Sequence, residues 1–251
     1  MNHFFVEAGN VSEDTLVING TDVRHIKNVL RMKPGEKLLA SDGQGHDFYC
    51  SIKQISDEEV VCEILTQKPS GNESPVKFYL FQGLPKADKF EHIIQKSVEL
   101  GVYEIIPVIT ARSIVKYDEK KKAAKVERWE RIAQSAAKQS RRGIIPRVRE
   151  ITDFRKALKE AALLDLVLIP YENYKDMKTT RDIISQIRPG MSVGIFVGPE
   201  GGFEQEEVEL AKADVQNEGA CAREICLGSR ILRTETAPLM LLSVLTFNLE
   251  N

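Results

Sequence analysis

The chain has no run approaching the roughly 18 to 20 apolar residues needed to cross a bilayer as a helix. Its N-terminus, Met1-Asn2-His3-Phe4-Phe5-Val6-Glu7, has neither the basic start nor the apolar stretch of a secretory signal. A cytoplasmic location and no membrane contact are therefore expected. Cysteine is sparse: Cys50, Cys62, Cys221 and Cys226, with no C-x-x-C pair among them. The four histidines, His3, His25, His46 and His92, show no zinc-ligand spacing. The expectation is no metal and four buried, reduced thiols. The P-loop pattern G-x-x-x-x-G-K-[ST] is missing, as is G-x-G-x-x-G. Without the lysine, and without paired aspartates for Mg²⁺, a nucleotide hydrolase is disfavoured.

An overall excess of charge is also lacking, with 35 Lys and Arg against 37 Asp and Glu in 251 residues. The distribution is less even. Residues 77–150 hold 17 Lys and Arg against 9 Asp and Glu, whereas residues 1–76 hold 7 against 12 and residues 151–251 hold 11 against 16. A basic middle between acidic flanks is a footprint suited to phosphates. The run Lys120-Lys121-Lys122, taken alone, reads as a solvated helix face.

Residues 1 to about 72 contain short β-branched or apolar runs at 15–18, 37–40, 48–52 and 60–65. Asn19-Gly20, Pro34-Gly35, Asp42-Gly43-Gln44-Gly45 and Asp57-Glu58-Glu59 punctuate them. With one helical stretch at 22–30, this pattern predicts a small β-barrel domain over 1–72. Residues 67–75 read as a linker by composition. From 76 to 251 strands and helices alternate, which predicts an α/β domain with a largely parallel sheet. Its strands fall at 76–82, 105–109, 164–169, 192–197 and 222–227, and its helices at 87–100, 127–140, 204–216 and 235–249. The last helix is apolar all round, which fits either burial in the core or a subunit interface.

Two strand-end loops carry the strongest functional signal. One is Val197-Gly198-Pro199-Glu200-Gly201-Gly202-Phe203; the other runs from Leu227-Gly228-Ser229-Arg230 to Ala237. Glycine-rich loops at the ends of neighbouring strands are where open α/β sheets bind ligands, and they let a ligand approach the backbone closely. In the second loop Thr234 fits a helix N-cap and Glu235 complements the helix dipole. Arg233 is positioned either as part of that helix start or over the ligand, to stabilise developing negative charge. Gln82-Gly83-Leu84-Pro85-Lys86 is a third strand-end loop. Lys138, Arg141 and Arg142 share a helix face near Gln139 and Ser140, and Arg24, His25, Lys27 and Arg31 repeat a basic pattern in the first domain.

Taken together, Phe81 to Lys86 with Lys89, Ile94 to Gly101, Gln139-Ser140-Arg141, the two glycine loops and His25 to Met32 resemble one family over nearly the whole chain. It is the bacterial 16S ribosomal RNA uridine N3-methyltransferases, of the SPOUT superfamily. The resemblance implies a PUA-like RNA-binding β-barrel followed by a trefoil-knotted α/β domain, one of the exceptions to unknotted chains. It implies S-adenosylmethionine as cofactor, a homodimer, and as substrate N3 of a uridine (uridine 1498) in the 16S RNA of the small ribosomal subunit. On that resemblance the cofactor site comprises Ile169 and Pro170, then Val197, Gly198, Pro199, Glu200, Gly201 and Gly202. It continues with Leu227, Gly228, Ile231, Leu232, Arg233, Thr236 and Ala237. The RNA contacts are Arg24, Lys27, Arg31, Lys86, Lys89, Lys96, Arg112, Gln139, Ser140 and Arg141. The catalytic candidates are Arg233, favouring the uridine anion, and Glu235 or Glu200, taking the N3 proton. The competing readings are an RNA-binding or ribosome-assembly protein without chemistry, and a methyltransferase acting on another RNA.

Overall fold

Period-two alternation in the first 70 residues produces a sheet with one buried face. The computed structural model describes residues 1–86, 88–114, 117–217 and 221–249. The chain divides into two compact units, Met1–Glu73 with Ala137–Ile145, and Ser74–Ala136 with Pro146–Asn251.

In the first unit, strands β1 (His3–Phe5), β2 (Thr15–Asn19), β3 (Lys37–Ser41), β4 (His46–Ile55) and β5 (Glu59–Pro69) form a sheet in the order β1-β3-β4-β5-β2. Leu16 and Ile18, Leu38 and Ala40, Phe48, Cys50 and Ile52, and Val60 and Cys62 turn one face inward. Each large apolar side chain so buried contributes about 1.5–3 kcal/mol. The register skips Leu65 on β5 between Tyr49 and Cys50 and Lys53 on β4 between Ile52 and Gln54, two bulges that bend and twist the pair. The result is a curled half-barrel: no ladder joins β1 to β2 among the described residues. Gln67–Pro69, read from composition as linker, are instead the end of β5 and pair with His46, Asp47 and Phe48. Helix α1 (Thr21–Arg24) runs into a π-helical turn at His25–Val29, so the helical stretch expected at 22–30 forms but its second half is underwound.

Segment Ala137–Ile145 is bound into this unit by named contacts. Glu73 accepts from the Arg142 side chain and from the amides of Gly143 and Ile144. Gly45 N–H donates to Gly143 O. Lys138 meets Asp22 at 2.6 Å and lies over the Phe4 ring. Burial pushes the Cys50 and Cys62 thiols up to about 12, so both stay protonated. Cys226 is buried, but Cys221 is only half-buried, against expectation.

In the second unit, β6 (Lys77–Gly83), β7 (Glu104–Ile109), β8 (Arg147–Val148), β9 (Thr152–Asp153), β10 (Leu166–Pro170), β11 (Ser192–Val197) and β12 (Cys221–Ile225) form one sheet. Its order is β12-β10-β11-β6-β7-β8, with β9 also on β7, and every pairing is parallel. This is the largely parallel sheet that the alternation of strands and helices predicts. Phe81 stacks on Phe196 at 4.4 Å between ring centroids, locking β6 to β11. Helix α2 (Lys89–Glu99) buries Phe90, Ile93, Ile94, Ser97 and Val98, the face its spacing predicts. The expected start of this helix at Ala87 lies outside the described residues. Helix α3 (Glu119–Ser140) begins two turns earlier than expected, at Glu119. Two helices were not anticipated: α4 (Phe154–Ala161), capped by Asp153, and α5 (Met177–Ile184), capped by Asp176. Helices α6 (Gln205–Asn217) and α7 (Thr236–Leu249) complete the unit.

Because the strands are parallel, the chain leaves β6, β10, β11 and β12 at the same edge of the sheet. After the edge strand β12 it returns across that edge to α7, which packs on α2 and β11. Helix α7 buries Pro238, Leu241, Leu242, Leu245 and Thr246. Its other face, with Leu239, Met240, Val244 and Phe247, remains partly or fully exposed.

Candidate active site

At that edge lies a cavity of about 340 Å³. Its walls come from the loops after β10, β11 and β12 and from the first turns of α2 and α7. Of the cofactor-site expectations, Pro170, Val197, Gly198, Pro199, Glu200 and Gly202 line it on one side. Leu227, Gly228, Ile231, Leu232, Arg233 and Ala237 line it on the other. Three expected residues do not. Ile169 is core, 1 % exposed, because it lies inside β10. Gly201 faces the Arg112 side chain, and Thr236 sits in the first turn of α7, its N–H bonded to Arg233 O.

Close backbone approach explains the glycines. A Cβ at Gly198 would meet the Gly202 carbonyl carbon at 2.8 Å and the Phe203 nitrogen at 3.0 Å. A Cβ at Gly83 would meet Pro199 at 2.7 Å. The loop after β11 is thus folded tightly on itself and against the end of β6, with no room for a side chain.

Charge is arranged in a ladder in which Lys89, Glu200 and Arg233 line the cavity and Glu235 lies behind them. Lys89 Nζ lies 3.1 Å from Glu200 and 3.5 Å from Glu235, and Glu235 lies 4.0 Å from Arg233. Glu200 also accepts from the Lys86 amide at 3.1 Å. Burial pushes the Glu200 carboxyl up, but its own amide, the Lys86 amide and Lys89 together outweigh burial and hold it below the usual carboxylate range. The hydrogen bond from Lys89 to Glu200 likewise holds the ammonium above its ordinary value. Arg233 is different: its side chain is 81 % exposed and stands at the cavity mouth.

Thr234 is not an N-cap. Its hydroxyl donates to Gly198 O at 2.7 Å and accepts from Gln82 Nε2 at 3.1 Å, because α7 begins two residues later. Sequence reasoning also missed Tyr171, Glu172, Tyr174 and Lys175, which line the cavity from the loop after β10. The strand-end rule that marks the two glycine loops reaches them when it is applied to the loop after β10 as well.

The expected RNA contacts fall in both units. In the first, Arg24, Arg31, Gln139 and Arg141 are exposed, while Lys27 is paired with Asp57 at 2.5 Å. Ser140 is half-buried and donates to Ala137 O. The shared face expected of Lys138, Arg141 and Arg142 does not form, since Arg142 is buried on Glu73 and Lys138 is held by Asp22. In the second unit Lys86 is exposed and Lys89 belongs to the cavity. Lys96 is paired with Glu99, and Arg112 donates to Gly201 O at 2.6 Å. The ammonium of Lys96 and the guanidinium of Arg112 are therefore already engaged within the protein. Among the described residues, no group of three His, Cys, Asp or Glu is placed to hold a metal ion.

Comparison with known proteins agrees with this geometry. Residues 72–246 match the profile of an RNA methyltransferase domain, and residues 18–65 that of an RNA methyltransferase PUA domain. The chain is 38% identical to ribosomal RNA small subunit methyltransferase E of Bacillus subtilis, over 100% of this chain and 98% of that protein. The same enzyme from Neisseria gonorrhoeae, solved bound to S-adenosyl methionine, superposes with a TM-score of 0.79 at 32% identity, covering 99% of this chain and 98% of the other. A Legionella pneumophila protein in complex with the cofactor SAM gives 0.81 at 32% identity, over 98% and 97%.

Proposed function

The chain belongs to the RNA methyltransferase family, in the group of the ribosomal RNA small subunit methyltransferase E proteins, and from that premise we propose that it transfers a methyl group from S-adenosylmethionine to N3 of a uridine in 16S ribosomal RNA, uridine 1498. The observation that carries this reading is an exposed guanidinium, Arg233, at the mouth of a backbone-walled cavity on the strand-end edge of a parallel sheet.

The walls fit the cofactor. The volume is within the range of small-molecule pockets. Val197, Leu227, Leu232 and Ala237 suit a purine ring, and the backbone of 198–200, 202 and 226–228 offers N–H and C=O groups to a nucleoside. The carboxylates of Glu172 and Glu200 suit a ligand carrying positive charge. When bound, S-adenosylmethionine supplies the methyl group from its sulfonium.

The remaining work falls to the chain. Uracil N3 carries a proton at neutral pH and is a poor nucleophile until that proton leaves. Arg233 favours the uridine anion by placing a fixed positive charge where negative charge develops. Of the two carboxylates, Glu200 is committed to Lys86 and Lys89, and its lowered pKa makes it the poorer base. Glu235, beside Arg233, is the proton acceptor in this reading. Holding the base in line with the methyl supplies much of the rate, and the base must be presented unstacked. Arg24, Arg31 and Arg141 on the barrel unit and Lys86 on the second unit hold RNA phosphates. The exposed apolar face of α7 joins two copies into a homodimer, which acts on the small ribosomal subunit in the cytoplasm.

The test is transfer of labelled methyl from S-adenosylmethionine to unmodified 16S RNA or small subunits, alongside calorimetric binding of the cofactor. Binding with labelled 16S RNA is expected. RNA binding with neither cofactor binding nor label would replace the proposal with an assembly or RNA-binding role. Label in a different RNA would change the substrate.

A further inference from the structure

Behind the cavity wall lies a polar clasp that the chemistry above does not use. Gln82, next to last in β6, has 0 % of its surface exposed. Its Nε2 lies 3.0 Å from Gly83 O, 3.1 Å from Thr234 Oγ1 and 3.4 Å from Gly198 O. The Thr234 hydroxyl, itself buried, donates onward to Gly198 O. One amide and one hydroxyl therefore tie together three segments far apart in sequence: the end of β6, the loop after β11, and the residues that lead into α7. The amide has one workable orientation. Turned over, its oxygen would face two carbonyl oxygens, those of Gly83 and Gly198. In the orientation present, Gln82 Oε1 is buried without a hydrogen-bond partner, so this side chain is held for what its nitrogen does. Thr234 is bonded directly to Arg233, and Arg233 O in turn accepts from the amides of Thr236 and Ala237 at the start of α7. A shift of Thr234 would carry Arg233 with it.

We propose that Gln82 is a positioning residue: acting through Thr234, it pins the Arg233 segment to the Gly198 wall, so that the guanidinium stands over the cavity before any ligand arrives. The proposal rests on reading the cavity as the methyl-transfer site. It explains why the end of β6 carries a buried amide where the surrounding strand positions are apolar. Charge would not serve there, because a carboxylate would oppose both carbonyls; a hydrocarbon would leave the Thr234 hydroxyl without its donor.

The experiment compares Gln82→Leu, Gln82→Glu, Thr234→Val, Thr234→Ser and the double variant Gln82→Leu/Thr234→Val with the unmodified chain. The first readout is amide hydrogen exchange of the ligand-free protein, which does not depend on activity. In Gln82→Leu and Thr234→Val, residues 199–203 and 228–237 should exchange roughly tenfold faster, while β6, β10 and β11 stay protected. The second is steady-state methyl transfer: kcat should fall by roughly tenfold with KM for RNA unchanged. Thr234→Ser should restore both readouts, and the double variant should be no worse than its more severe parent. Should Gln82→Leu fail to fold, Thr234→Val and Thr234→Ser carry the same comparison. Wild-type exchange in both loops, a raised KM at constant kcat, or multiplicative losses in the double variant would overturn the clasp. Absence of methyl transfer by the unmodified chain would instead sink the functional reading, and the exchange data would still decide the clasp.

Discussion

Replacing Gly198 by alanine puts one methyl group where the folded loop leaves no space for it. The added carbon would sit 2.8 Å from the Gly202 carbonyl carbon and 3.0 Å from both Gly202 Cα and Phe203 N, all backbone atoms. Ordinary contact begins near 3.4 Å, so the loop must open by roughly 0.6 Å. Overpacking of this kind costs about 1–3 kcal/mol. If residues 199–202 move to relieve it, the cost appears in ligand affinity, about 5- to 150-fold weaker for the cofactor. If they do not move, the cost appears as lost stability. Calorimetric titration with S-adenosylmethionine, paired with thermal melts, reads both. Gly201→Ala is the control: its Cβ would meet Arg112 Cδ and Cβ at 3.2 and 3.3 Å, needing a shift of only a few tenths of an ångström, and it does not line the cavity. The reasoning is refuted if Gly198→Ala binds within twofold of wild type with an unchanged melting temperature, or if Gly201→Ala is the worse of the two.

Arg233→Ala should keep cofactor binding while methyl transfer drops by roughly 100-fold or more, the scale of losing one charge-stabilising donor; near-wild-type turnover would remove Arg233 from the chemistry. RNA affinity should fall with salt, and Arg24→Ala with Arg31→Ala should flatten that log–log slope by roughly 1.4 to 1.8 if each holds one phosphate. Arg112→Ala should leave the salt slope unchanged, because its guanidinium is spent on Gly201 O; the opposite ranking would contradict the assignment. Burial holds the His3 imidazole below its ordinary value, so the unfolded chain takes up the proton more readily than the folded one. Stability should therefore fall as pH drops below about 6.5, and His3→Gln should have a flatter melting-temperature profile between about pH 7.5 and 5.5; parallel profiles would count against it.

Much of the architecture was legible because local pattern and final burial coincide. The apolar spacing of Phe90, Ile93, Ile94 and Val98 marks the buried face of α2, and the runs at 192–197 and 77–82 are strands because both their faces are covered. Helices α4 and α5 were missed although each carries an aspartate cap; α4 turns Phe154, Ala157, Leu158 and Ala161 inward and α5 only Thr180 and Ile183, and at eight residues each offers barely two turns of periodicity. Segment Ala137–Ile145 could not be assigned from sequence, because its membership of the barrel unit depends on Glu73 and on Gly45, some 70 and 100 residues away. The same holds at the cavity. Strand-end glycines mark the loops, but that Thr234 ties them together, that Arg112 turns onto Gly201, and that Arg142 is buried are properties of long-range contacts.

The central claim is tested most directly by nucleoside analysis. Purified protein, S-adenosylmethionine labelled on the methyl group and unmodified small ribosomal subunits are incubated, and the 16S RNA is digested to nucleosides. The account predicts label in 3-methyluridine, lost in Arg233→Ala. Label in any other nucleoside, or none while the cofactor binds, would contradict it.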